Sequence, residues 1–232
     1  MKYLIQTDSI SDEKSMDVDY GRVVLDTTDS AIYIVGYGWK CKMVDLGLTS
    51  GTLWMDRNVG ASSPEDAGLY FAWGETTGYT ADEVGKTKQF SWDDYKFGDS
   101  LTKYNGTDGL TTLETTDDAV LQNVHKYTMP TKEQIQELIN ETTSTWTTQN
   151  GVNGRLFTSK TNGNSIFVPA AGRVNYGSMY VVGSGGYLWS SSLYGDDAEY
   201  AWCLLFDSVG AYLYNGSRCN GRSVRGVVSA SK

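Results

Sequence analysis

Apolar and polar positions alternate most clearly at residues 200–207. Trp202, Leu204 and Phe206 fall on one side of a strand, and Cys203, Leu205 and Asp207 on the other, because successive side chains of a strand point to opposite faces. The first set reads as a core face. The second is chemically mixed, which suits either a surface shaped for a partner or an ordinary solvent face. Residues 207–210 read as a hairpin turn and 211–214 as its return strand, with Tyr212 and Tyr214 pointing the same way. Asn215-Gly216 and Asn220-Gly221 signal further turns, since both residue types tolerate positive φ. Upstream, residues 194–200 form a polar loop bracketed by Tyr194 and Tyr200. Tyrosines set among Ser, Gly, Asn and Asp are the composition of adaptable binding loops.

The rest of the chain frames that stretch. Residues 2–7, 22–27 and 31–38 read as short strands of a β-rich N-terminal extension, 1–41. Three short strands bury little alone, so the extension is either an attachment or oligomerisation module or a plain β addition to the main domain, 42–232. Within that domain, 52–55 and 69–73 predict strands. Residues 76–112 form a long, irregular, Gly-bearing loop anchored by the aromatics of 91–97. Two helices follow. Residues 115–124 open with acidic residues that suit the helix dipole. The second, over 131–141, has Pro130 before it, Thr131 as cap, Gln134 at the capping-box position, and a core stripe of Ile135, Leu138 and Ile139. Residues 145–172 carry two strands joined by a hairpin at 160–163. Strands, a long loop, two helices and strands again predict an α+β fold with antiparallel sheet.

Composition narrows the function classes. The chain has 232 residues and a formal charge of −9, which argues against nucleic acid and anionic membrane surfaces as partners. No run approaches the roughly 18 apolar residues of a membrane span. The first residues lack the apolar core of a secretory signal, pointing to cytoplasmic synthesis or to a signal already removed. Cys41, Cys203 and Cys219 show no metal or redox spacing. A Cys203–Cys219 disulfide across neighbouring strands is conceivable, although a chain kept inside a cell retains its thiols. His125 is the sole histidine and has no nucleophile with an orienting acid near it in sequence. Glu75, Asp93-Asp94 and Asp117-Asp118 could supply a pair of catalytic acids, but carboxylates are common in so acidic a chain. Phosphate-loop, dinucleotide and nucleophile-elbow motifs do not occur. These readings point away from an enzyme, and to no cofactor and no metal.

With those residues in view, the chain resembles a known family. The stretches at 44–54 (VDLGLTSGTLW), 58–76 (NVGASSPEDAGLYFAWGET), 129–139 (MPTKEQIQELI), 153–172 (NGRLFTSKTNGNSIFVPAAG), 188–192 (LWSSS) and 221–227 (GRSVRGV) look like the C-type-lectin-fold domains abundant in Bacteroidetes and their phages. The resemblance spans about residues 43–228 with its blocks in the expected order. It implies a C-type-lectin-like fold that displays a ligand face near the carboxyl terminus. Some members are variable proteins of diversity-generating retroelements, which rewrite chosen codons of that face. The resemblance makes Trp189–Ser192, Ala201, Leu204, Phe206, Ser208, Arg218, Gly221 and Ser223–Arg225 scaffold positions.

It makes Tyr194, Asp196, Asp197, Cys203, Leu205, Asp207, Tyr212, Tyr214, Asn215, Ser217 and Cys219 the ligand-binding, variable positions. Adenine-directed change of Asn codons yields only codons ending in a pyrimidine, which cannot encode Trp, Met, Lys, Glu or Gln. All eleven positions obey that limit, while Glu199 and Trp202 do not. The calcium- and sugar-binding Glu-Pro-Asn, Gln-Pro-Asp and Trp-Asn-Asp motifs of classical lectins are missing, so calcium-mediated sugar binding is not implied. A solvated acidic loop is the reading for Asp196, Asp197 and Glu199. The function implied is non-enzymatic receptor binding to a cell-surface protein or glycan, by an oligomeric adhesin at a phage tail or fibre tip, assembled after cytoplasmic synthesis. A fixed bacterial surface adhesin or lectin is the alternative. Formylglycine-generating enzymes share the fold type, but Cys203 and Cys219 are too far apart to match their close cysteine pair.

Overall fold

The computed structural model describes residues 22–26, 31–36 and 39–229. In chain order come β1 (Arg22–Asp26), β2 (Ala31–Gly36), β3 (Trp39–Asp45), β4 (Thr52–Met55) and β5 (Tyr70–Phe71), then helices α1 (Ala119–Val124) and α2 (Lys132–Glu141). Ten further strands follow: β6 (Thr142–Gln149), β7 (Val152–Ser159), β8 (Ser165–Pro169), β9 (Arg173–Asn175), β10 (Ser178–Tyr180), β11 (Gly185–Leu193), β12 (Tyr200–Asp207), β13 (Ala211–Ser217), β14 (Arg222–Ser223) and β15 (Val227–Ser229). The fold is α+β, mostly strand with two helices. The sheets run β1-β2-β3-β4-β15, β13-β12-β11-β14-β5, β6-β7-β8 and β9-β10. Among the described strands every ladder is antiparallel except that of β11 with β14.

The strand expected at 2–7 lies outside the described residues. The division expected at 41/42 falls inside β3, which pairs with β2 on one side and β4 on the other. Strand β15 closes the same sheet on β4, so residues from both ends of the chain share one sheet.

Helix α2 forms as its sequence dictates. Thr131 Oγ1 accepts the Gln134 N–H, the Gln134 side chain accepts the Thr131 N–H, and Ile135 and Leu138 are buried. The first helix is shorter than expected. Thr115–Asp117 makes only a 3-10 turn, because Asp118 leaves helical geometry to become a cap: its carboxylate accepts the N–H groups of Leu121 and Met129, each at 2.9 Å. Helix α1 therefore begins at Ala119, and His125 closes it at φ 61°. Strand β5 is likewise cut to two residues, since beyond it the Trp73 N–H turns to the Arg218 carbonyl.

Two apolar clusters flank the sheet β13-β12-β11-β14-β5. One gathers Trp73, Tyr95, Phe97, Tyr104, Trp189 and Cys203. The other gathers Trp54, Ile135, Leu138, Phe157, Leu188, Leu204 and Phe206 under α2. Strand β11 and the middle of β12 are thus sandwiched, with Cys203 buried on one side and Leu204 and Phe206 on the other. Close approach demands glycine at 186, where an added Cβ would sit 2.1 Å from Cζ of Phe206.

The long segment before the helices is packed by its own side chains, with Asp117 as one anchor. Its carboxylate accepts from Lys96, Lys103 and, at 2.7 Å, Tyr104 Oη. Burial raises the Asp117 pKa, but the hydrogen bonds from Lys103 and Lys96 outweigh it and hold the group below its ordinary 3.8. A carboxyl with a depressed folded value stabilises the fold above its unfolded value and loses that contribution as pH falls through the folded one. Stability is therefore expected to drop as pH falls below about 4, measured as the urea midpoint against pH. Asp117→Asn should lower the midpoint at pH 7 and flatten this acid limb. An unchanged limb in the variant would remove Asp117 from the account.

Candidate ligand-binding face

Strand register decides which side chains meet. Leu205 stands between Tyr212 and Tyr187, and Cys203 between Tyr214 and Trp189. Paired residues share a face, so these six line the side of the sheet opposite α2. The outer row is open. Tyr212 is 45% and Tyr214 50% exposed, on β13, the sheet's edge strand. Leu205 and Tyr187 are half-buried behind them.

The inner part of this face is closed, and here the expectation for Cys203 is corrected. Cys203 is 0% exposed. Arg222 lies over it: the guanidinium is 4.1 Å from the Trp189 ring centroid and 4.7 Å from that of Tyr187, and Nη1 donates to Cys203 Sγ at 2.5 Å. Gly216 makes room, because a Cβ there would fall 1.7 Å from Arg222 Nη2. Cys219 is buried as well, with Sγ 3.2 Å from Ser217 Oγ, and Ser217 is half-buried beside it. None of Cys41, Cys203 and Cys219 forms a disulfide. Burial pushes the Cys203 and Cys219 thiols up, against the opposing pull of Arg222 on the first and Ser217 on the second. Neither can touch a ligand without opening the fold. Native protein is expected to react only slowly with a disulfide reagent at pH 8, with all three thiols released by denaturant. A fast native phase assigned to Cys203 or Cys219 by peptide mapping would contradict this burial.

Another part of the expected set faces the α2 side. Asn215 pairs with Trp202, and the Tyr194 ring meets Trp202 edge-on at 4.9 Å. The hydrogen bond to Asp196 and that carboxylate's charge raise the Tyr194 phenol, opposed by a bond from Asn215. Alternation puts Trp202 on the core face with Leu204 and Phe206. Those two are fully buried, but Trp202 is only partly covered, with Lys132 Nζ 5.7 Å above its ring. Asp196 and Asp197 are exposed at the tip of the β11–β12 loop, and Glu199 N–H bonds Asp197 Oδ1 at 2.9 Å. Asp207 forms the hairpin turn, its Oδ1 accepting from Val209 N–H at 2.7 Å and Gly210 N–H at 3.1 Å. The eleven positions therefore wrap both faces and both ends of β13, with Cys203 and Cys219 beneath the surface.

Arg218 fixes the acidic loop. Its guanidinium sits among Trp73, Tyr95, Phe97 and Tyr104 at 4.9–5.8 Å from the ring centroids. It donates to Ala198 O at 2.8 Å, Tyr104 O and Lys103 O at 2.9 Å, and Tyr95 Oη at 3.0 Å. Its own N–H donates to Glu199 O at 3.0 Å. One side chain thus ties the 95–104 segment to the loop that carries Asp196 and Asp197.

Sequence reasoning passed over a second exposed apolar group. Tyr176, Tyr180, Val181 and Val182 stand exposed around the β9–β10 hairpin, with Tyr176 at φ 45° and Val181 at φ 52°. Positive φ is strained for a β-branched valine; the Val181 carbonyl is held by the N–H groups of Ser184 and Gly185. The available signal was an apolar run, 179–182, between Gly177 and Gly183, too short and too turn-bound to be core.

Four of the five acids weighed as a catalytic pair have other partners, and Asp93 is exposed. Glu75 takes Lys88 at 3.0 Å, Asp94 caps the turn at Ser91, Asp117 meets two lysines and Asp118 caps α1. Among the described residues no group of three or more His, Cys, Asp and Glu is arranged to hold a metal, and no helix is long and apolar enough to cross a membrane. A family described as a domain of unknown function (DUF8237) matches residues 146–227, the stretch that carries the whole face. No curated protein and no solved structure matches the chain.

Proposed function

We propose that this is a non-enzymatic binding protein of C-type-lectin-like fold, whose edge strand β13 and neighbouring loops form the ligand face. What supports the reading is the pairing of Tyr212 and Tyr214, both exposed, on a strand whose partners are clamped between two cores. Rigid aromatic anchors ringed by small polar residues and carboxylates suit recognition of a protein or glycan. The face comprises Tyr194, Asp196, Asp197, Leu205, Asp207, Tyr212, Tyr214 and Asn215, with Ser217 at its margin; Cys203 and Cys219 drop out on burial. It is a variable face of the retroelement-diversified kind, carried by an oligomeric receptor-binding adhesin such as a phage tail or fibre tip, where multivalency raises the avidity of weak single contacts. Fluorescently labelled protein should bind bacterial cells of its source community saturably and be displaced by unlabelled protein. Binding that never saturates, or none on any cell or glycan surface offered, would contradict the reading.

A further inference from the structure

We infer that β13 receives its ligand by strand addition, and that the segment added is an extended, cationic polypeptide; this rests on the reading of β13 as the ligand face. The hairpin geometry shows which backbone groups are open. Asp207 N–H bonds Gly210 O at 3.0 Å, so 207 and 210 form a hydrogen-bonded pair. Alternation along an antiparallel ladder then makes 205/212 and 203/214 hydrogen-bonded pairs as well. The N–H and C=O groups of Leu213 and Asn215 consequently point away from β12, and among the described residues no hydrogen bond reaches them.

An open edge of this kind is a template for another strand, and proteins ordinarily guard it with lysine, proline, a bulge or brevity. Strand β13 uses none of these. It runs seven residues, Ala-Tyr-Leu-Tyr-Asn-Gly-Ser, without charge or proline, in unbroken register with β12.

Charge selects the occupant. Residues 185–217 contain Asp196, Asp197, Glu199 and Asp207 and no basic residue. The first three lie near the Ser217 end of β13, which pairs with Tyr200, and Asp207 lies at the other end. The cations that approach from outside this stretch are Arg155, Arg218 and Arg222, all three buried, and Lys132 over Trp202, so the exposed charge beside β13 is acidic except at Lys132. A second copy of this chain would bring acid against acid in either orientation, and each copy carries −9. An extended segment bearing Lys or Arg instead meets carboxylates at both ends. Its alternate side chains land beside the Tyr212 and Tyr214 rings, where a cation is favoured over an aromatic face. Backbone bonds supply the affinity and these side-chain positions the selectivity.

The test uses peptides of about eight residues, matched to the strand's length. One alternates Lys and Val, one alternates Glu and Val, and two Lys–Val versions carry N-methyl groups on one or the other alternate set of amides. With the intact protein, the Lys–Val peptide should slow hydrogen exchange at the Leu213 and Asn215 amides by roughly tenfold or more at saturation, and the Glu–Val peptide should leave them unchanged. Methylation of one alternate set should abolish binding while methylation of the other spares it, a distinction that a purely side-chain contact does not make. Unaltered exchange at both amides under saturating Lys–Val peptide, equal binding of the two methylated peptides, or equal binding of the Glu–Val peptide would each overturn the proposal. Cell binding by the protein reports separately on the face. If cells are bound but the amides stay unprotected, strand addition fails alone; if the amides are protected and Tyr212→Ala/Tyr214→Ala protein still binds cells, the ligand-face reading fails instead.

Discussion

Arg218→Ala is expected to lower the free energy of unfolding by about 3–5 kcal/mol, the cost of breaking a buried, fully hydrogen-bonded charge site, and so to leave the protein unfolded or marginal. Three losses coincide. The carbonyls of Lys103, Tyr104 and Ala198 lose their donors, the four-ring box around the guanidinium empties, and Tyr95 Oη keeps only its bond to Trp73 O. Unsatisfied buried carbonyls cost about 1–3 kcal/mol each before relaxation. Lysine cannot replace the planar fork, so Arg218→Lys should recover little. Urea denaturation measures both variants. A loss below about 1 kcal/mol in Arg218→Ala would mean that the aromatic box and the acidic loop are held some other way.

Tyr212→Ala/Tyr214→Ala should weaken ligand binding on the order of a hundredfold or more, because exposed aromatic anchors at the centre of an interface contribute about 2 kcal/mol or more each. The same change should barely disturb the fold. Both rings are about half exposed, and Leu213, which packs towards the α2 cluster, is untouched. A melting temperature within a few degrees of the parent is expected, corresponding to about 1 kcal/mol or less. Titration on source-community cells gives the binding loss and calorimetry the stability. Undiminished binding with an intact fold would move the ligand face elsewhere, and the exposed group at Tyr176–Val182 would then be the next place to look.

Much of this was legible in the sequence where local chemistry decides local structure. Helix α2 announces itself through Thr131 and Gln134, and the β12–β13 hairpin through alternation on both sides of its turn. The common side of Tyr212 and Tyr214 follows from the same period of two. What could not be read is what covers each face. Cys203 alternates like a surface residue, yet Arg222, nineteen residues on, lies across it and closes the site. Arg218 likewise depends on rings at 73, 95, 97 and 104, gathered from a segment with almost no regular structure. Asp118 misled for a local reason: an acid that suits a helix's first turn serves equally as its cap, and here it bonds both Leu121 and Met129. Burial on two sides, not periodicity, sets which of the eleven positions can meet a ligand.

The central claim is that one exposed face of this chain is rewritten to change what it binds while the layer beneath is fixed. Sequencing the gene deeply across its source population tests that most directly. The account predicts substitutions concentrated at Tyr194, Asp196, Asp197, Leu205, Asp207, Tyr212, Tyr214 and Asn215, all within pyrimidine-ending codons, with Cys203, Cys219, Arg218 and Arg222 constant. Substitutions spread evenly along the gene, or falling as often on Cys203 and Cys219 as on the tyrosines, would contradict it.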